Sequence, residues 1–164
     1  MIKNLFIVLI LFSIPSYGLD LLQANNAMNM DYSFEEIIYD DEIPIQISQG
    51  TIRRLDSSIV INIYSDFSEE YIINSTSILI TDKDLNQTQE ITLDQIHNPV
   101  IEILVNGIKS QSDQYGYELI DNFLIITNDR YKAELKFDND YLTKITYVDD
   151  FNYKHVIKLK VVLG

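Results

Sequence analysis

The sequence predicts an α+β protein that is mainly β: a large antiparallel meander curled into a barrel or half-barrel, with a few short helices. Three observations carry this expectation. Apolar residues recur with period two through most of the chain, as a sheet with one dry and one wet face requires. Asp and Asn clusters punctuate these runs at roughly regular intervals, and such residues serve as hairpin tips. The 164 residues are 46% hydrophobic and 23% charged, a globular composition with enough material for one core.

Met1 to Gly18 reads as a secretory signal. Lys3 supplies the positive start, Leu5 to Ile14 is an apolar run, and Ser16-Tyr17-Gly18 places small residues around a cleavage point. The run is short for a membrane span, which takes about 20 apolar residues. The other reading is a buried N-terminal helix or strand. Residues 19–164 are expected to form a single domain, since no linker, composition shift or long repeat divides them.

Leu19 to about Met30 has helical spacing, with Leu19, Leu22, Asn26 and Met30 in one row and Leu21, Ala24 and Ala27 alongside. The period-two runs follow. Ile59, Ile61 and Ile63 share one face and Val60, Asn62 and Tyr64 the other. Ile78 and Ile80, Ile91 and Leu93, Ala133, Leu135 and Phe137, and Ile157, Leu159 and Val161 repeat the pattern. The turn signals between them are Asp31, Asp40-Asp41, Asp56-Ser57, Asn74-Ser75, Asp121-Asn122, Asp138-Asn139-Asp140 and Asp149-Asp150. One segment breaks the rhythm. Asn98-Pro99, then Val100 to Val105 and Asn106-Gly107, has the punctuation of a helix: a capping Asn, Pro at the first position and Gly past the end. Its β-branched content suits a strand equally well.

Charge and composition exclude several functions. A net charge of −13 opposes nucleic-acid binding, which needs clustered Lys and Arg. Zero cysteines removes disulfides, thiolate metal sites, Cys nucleophiles and a lipid-modified N-terminal cysteine. Asp82-Lys83-Asp84-Leu85-Asn86 resembles the opening of a calcium loop, but Gln87 stands where the turn glycine belongs and Leu93 where a bidentate Glu belongs. His97 and His155 lie in unrelated contexts, so no metal site is expected. No Gly-x-Ser-x-Gly elbow or phosphate-binding glycine loop occurs, so no catalytic residues, enzyme activity or cofactor are expected. The 11 tyrosines and seven phenylalanines mostly occupy strand positions, where packing accounts for them.

Three stretches carry a resemblance to a known family. Phe34 precedes Gly50-Thr51-Ile52-Arg53-Arg54; Glu70 to Asn74 leads through Ile78 to Thr81 into Asp82-Lys83-Asp84-Leu85-Asn86-Gln87; and Phe137 to Ile145 runs on to Asp149-Asp150. In this order, behind a signal without a lipid-modified cysteine, they are similar to LolA, the family of periplasmic carriers that move lipoproteins from the inner to the outer membrane. The family's third-strand Arg-Pro and aromatic-x-Trp pattern is absent: Arg54 is followed by Leu55, and Ile59 and Ile61 occupy the apolar positions.

The resemblance implies an incomplete, strongly curved antiparallel β-barrel with short helices forming a lid over an apolar cavity. Candidate cavity-lining residues are Ile59, Ile61, Ile63, Ile78 and Ile80. Candidate lid residues are Leu22, Pro99, Ile101 and Leu104, and the family's lid-fastening arginine falls on Arg54, with Arg53 as the rival. For each apolar residue, ordinary core packing is an equal account. The implied partners are acylated lipoproteins, an inner-membrane lipoprotein-releasing transporter and an outer-membrane acceptor, handled by a monomer in the periplasm without stable membrane insertion. The strong acidity suits a carrier that should not linger on anionic membranes, and suits solubility equally. A second class is an exported β-rich module for protein interaction or scaffolding; an exported hydrolase using paired acids is a third.

Overall fold

The computed structural model describes residues 19–65, 67–96, 99–109, 115–128 and 131–163. The signal expected over residues 1–18, the cap expected at Asn98 and the place of His97 lie outside these residues. In chain order the elements are α1 (Leu21–Met28), β1 (Tyr32–Asp40), β2 (Ile43–Leu55), β3 (Ser58–Ile63), β4 (Glu69–Ile73), β5 (Ser77–Asp82) and β6 (Gln87–Thr92). A 3-10 turn at Leu93–Gln95 then leads to α2 (Pro99–Asn106), β7 (Gly116–Ile120), β8 (Phe123–Thr127), β9 (Lys132–Asp138), β10 (Tyr141–Val148) and β11 (Lys154–Val161).

Among the described residues, eleven strands form one antiparallel sheet in the order β6-β5-β4-β3-β2-β1-β11-β10-β9-β8-β7. The sheet does not close, because β6 and β7 remain its two edges. The architecture is an incomplete, curved antiparallel barrel with short helices. Every neighbour is the next strand in sequence except one pair: β1, the first strand, lies against β11, the last, from Tyr32↔Val161 to Tyr39↔Lys154.

Period-two burial follows the sequence pattern. In β9, Ala133, Leu135 and Phe137 are buried while Lys132, Lys136 and Asp138 are exposed. Residues directly opposite in an antiparallel pair share a face, so the registers trace apolar rows across strands. Ile59 pairs with Ile73, Ile73 with Ile78 and Ile78 with Ile91. Ile52 pairs with Ile61, Ile61 with Tyr71 and Tyr71 with Ile80. Both helices pack on this apolar side, with Ala24, Ala27, Met28, Val100 and Ile103 in one core with Ile59, Ile73, Ile78, Leu124, Leu135 and Phe137.

The turns are built by Asx residues in the left-handed region, where their short polar side chains lower the cost. Asp41, Asp121 and Asn139 have φ near +52° at the tips expected from sequence. Asn86, at φ +52°, and Asn152, at +67°, lie in the same region in the β5–β6 turn and in the turn expected at Asp149-Asp150. The stretch that resembles a calcium loop, Asp82–Asn86, is the β5–β6 turn: the Asp82 carboxylate accepts from the amides of Asp84 at 2.9 Å and Leu85 at 2.8 Å. Its acidity is used in shaping the backbone.

The α1 helix starts at Asp20, which exchanges hydrogen bonds with Gln23 in a capping box. Its inward face differs from the row expected from spacing. Leu22 and Asn26 are exposed, and Ala24, Ala27 and Met28 are buried. The reason is proximity: the Ala27 carbonyl accepts the Tyr32 hydroxyl at 2.7 Å, and small side chains let the helix lie that close to the sheet. The α2 segment is helical, as its punctuation suggests. Gly107 has φ +70° and donates to Ile103 at 2.8 Å, the stop that only glycine makes cheaply.

Gly50 sits at a crowded point of the sheet. A Cβ there would lie 2.1 Å from the Asn62 carbonyl oxygen and 2.7 Å from the ring of Phe34, its cross-strand partner. Backbone cannot yield as a flexible side chain can, so Gly50→Ala is expected to cost about 1–3 kcal/mol by overpacking. Urea unfolding checks it: an unchanged midpoint would mean that β1, β2 and β3 can separate without penalty.

Candidate functional site

The apolar side of the sheet and the helices across it form the candidate site. Ile59 and Ile78 are each 3% exposed, deep in the core. Ile61 and Ile80 are half-buried and pack against that core, and Ile63 is half-buried nearer the end of β3. The sheet therefore brings the five candidate lining residues onto one face, in two adjoining cross-strand rows plus Ile63, which pairs with Gly50.

Arg54 shares this face, since it pairs directly with Ile59. Its Nη1 donates to the carbonyl of Leu104 in the last turn of α2. That carbonyl is one of the four a helix end leaves without an internal partner, and a cation there also complements the helix dipole. The Arg54 amide donates to Asp31 at 2.7 Å, and its Nε is buried without a hydrogen-bond partner among the described residues. Burial pulls the guanidinium below its ordinary value, opposed by Tyr32 and Asp31; an arginine remains charged at any working pH. Arg53 pairs with Val60 on the opposite face and is exposed.

Apart from Glu102 and Asn106, α2 is apolar all round, so its spacing marks no single buried side. Ile101 and Leu104 are half-buried against the core. The deepest positions are Val100 and Ile103, 5% and 1% exposed, one residue earlier than the expected pair. Pro99 occupies the first position of the helix. Leu22, expected in the lid, is 69% exposed on the outer side of α1.

Two further residues tie the helices to each other and to the sheet, and neither had a signal in the sequence. Asn25 of α1 grips the chain just after α2: it accepts from the Ile108 amide at 2.7 Å and donates to the Ile108 carbonyl at 3.2 Å. Tyr32, 2% exposed, donates to the Ala27 carbonyl and accepts from the Leu142 amide of β10 at 3.1 Å. Burial raises its pKa, in part offset by the Leu142 bond and by Arg54. Arg54 thus holds α2, Asn25 links α2 to α1, and Tyr32 holds α1 to the sheet. A cleft of about 370 Å³ beside Arg54 is bordered by Asp31, Tyr32, Thr51, Ile52, Arg53, Leu55 and Val162.

No protein-family model matches the chain, and no curated protein does. Solved structures similar to it include the following two. One is a LolA superfamily protein from Nitrosomonas europaea, 10% identical over 88% of this chain and 92% of that one, with a TM-score of 0.47. The other is MucB in complex with MucA(peri), 14% identical over 88% of this chain and 56% of that one, with a TM-score of 0.41. Among the described residues no helix is long and apolar enough to cross a membrane.

Tyr32→Phe removes one hydroxyl and leaves the buried Leu142 amide unmet, at an expected cost of about 1–3 kcal/mol. Denaturant unfolding gives the loss, and faster hydrogen exchange at Leu142 locates it. Exchange unchanged at that amide would show that the Tyr32 bond carries no weight.

Proposed function

We propose that the chain is a periplasmic carrier that shields the acyl chains of lipoproteins against its apolar sheet face and passes them from the inner to the outer membrane. The observation that carries the reading is the bond from Arg54 to Leu104, which fastens a short apolar helix across that face from a residue in the row of Ile59. The sequence resemblance to LolA supports the cargo and the two membrane partners, an inner-membrane transporter and an outer-membrane acceptor.

Magnitudes make such a lid workable. Each buried methylene contributes about 0.8 kcal/mol, so an acyl chain of about 15 methylenes avoids about 12 kcal/mol of water contact. A hydrogen bond to a charged group contributes about 1.5–3 kcal/mol. Cargo therefore outweighs the Arg54 latch while the latch still favours the covered state when cargo is absent. Transfer needs no covalent chemistry and runs toward the tighter binder. Ile59, Ile61, Ile63, Ile78 and Ile80 would contact the chains, and α2, through Ile101 and Leu104 with Val100 and Ile103, would move.

Native mass spectrometry of the protein from its own envelope fraction tests the reading. Retained lipopeptide or fatty-acyl mass, released by detergent, is expected; an empty protein that takes up no acylated peptide in vitro rules the carrier out in favour of a protein-interaction module. Arg54→Leu unlatches the empty state and is expected to hold cargo more tightly and slow its handover. Transfer at the unaltered rate would remove Arg54 from that role.

A further inference from the structure

His155 lies in β11 with both ring nitrogens against carboxylates. Nδ1 is 2.8 Å from Glu36 of β1, and Nε2 is 3.3 Å from Asp149 at the start of the β10–β11 loop. The ring also stacks on Tyr147 of β10, centroids 4.4 Å apart and 6° from parallel. The His155 side chain is 12% exposed, Glu36 16% and Asp149 25%. A neutral imidazole has a single N–H, so only the doubly protonated ring donates to both partners.

The rest of the surroundings is acidic, phenolic or neutral polar. From β4, the Tyr71 hydroxyl donates to Glu69 at 2.6 Å, and from β2, Gln46 donates to the buried Ser48 at 3.2 Å. Tyr71 and Tyr147 both lie within electrostatic reach of Glu36, Tyr147 also of Asp149 and Tyr131; burial first and then these carboxylates keep both phenols protonated. Lys154, the neighbouring cation, is one residue away and so faces the other side of the strand.

We propose that Glu36, His155 and Asp149 form a proton-operated clasp that holds the β10–β11 loop to the sheet, closed when His155 carries its second proton and released when it loses it. The shorter bond keeps the remaining proton, so Nδ1 stays with Glu36. Nε2 then turns a lone pair toward the Asp149 carboxylate, and attraction becomes repulsion. The loop is built to move as a unit. Asp149 accepts from the amides of Phe151 and Tyr153 at 2.9 and 2.8 Å through its other oxygen, bonds that do not involve His155. At its tip Phe151 is 80% exposed with the clasp closed, so no side-chain packing there holds the loop in place.

The direction of the pH dependence follows. Burial alone would lower the His155 pKa, but the bonds to Glu36 and Asp149 outweigh it and raise it above 6.5. Asp149 is held below its ordinary value, burial being outweighed by the Tyr153, His155 and Phe151 bonds. The folded state binds the histidine proton more tightly than the unfolded chain, so the clasp stabilises fully below the ordinary histidine value. That contribution is lost as pH rises through the raised one.

Nuclear magnetic resonance of the whole protein tests this without a variant, by following the His155 ring nitrogens and the backbone order parameters of residues 150–152 from about pH 5 to pH 9. The expected result is titration above the ordinary 6.5, with both nitrogens protonated below it and only Nδ1 above it, and a fall in loop order along the same curve. Asp149→Asn should shift the titration downward and His155→Gln should leave the loop mobile at every pH, with the sheet intact by circular dichroism. Titration at or below 6.5, or loop order indifferent to it, overturns the clasp.

Discussion

The pairing of β1 with β11 is the constraint on which the rest of the structure depends. All the other strand pairs join sequence neighbours, most of them by short turns. Without this seam the chain would be two separate meanders, six strands from β6 to β1 and five from β11 to β7. With it, the rows of buried residues run on from one meander into the other: Val161 meets Tyr32, and Leu159 meets Phe34. Only a continuous sheet is wide enough to curve and present one large apolar face to the helices. The entropy of closing so long a loop grows only logarithmically with length, so a well-paired seam of eight residues can hold it.

The polar contacts that matter most lie at or beside this seam. Tyr32, the first residue of β1, bonds α1 and β10 at once, and Asp31 just before it accepts from Arg54 and holds the end of β11 through Val162. Midway along the same strand Glu36 reaches His155. One strand therefore organises both the helix-covered end of the apolar face and the loop at its other end.

Much of the fold was legible in the primary structure because its determinants are local. Period two in Ala133, Leu135 and Phe137 reports a face without reference to any neighbour. Left-handed Asp41, Asp121 and Asn139 are turn residues wherever they occur, and Pro99 with Gly107 brackets a helix by backbone geometry alone. The inward phase of the helices was not legible. In α1 the large Leu22 turns out and the small Ala24 and Ala27 turn in, because what decides is the distance to the sheet. In α2 nearly every side chain is apolar, so no stripe marks the buried side.

The candidate site divides along the same line. The common face of Ile59, Ile61 and Ile63 follows from alternation, and any folded form of this chain that keeps β3 extended will keep it. That Arg54 rather than Arg53 shares this face depends on the register of β2 against β3, and that its guanidinium meets Leu104 depends on where α2 crosses. The grip of Asn25 on Ile108 and the placing of His155 between Glu36 and Asp149 are further removed still, the first spanning 83 residues and the second 119. Strand and turn preferences act over a few residues and can be read along the chain. Hydrogen bonds between side chains distant in sequence exist only once the sheet has fixed which strands are neighbours, and that was decided by the closing of β1 onto β11.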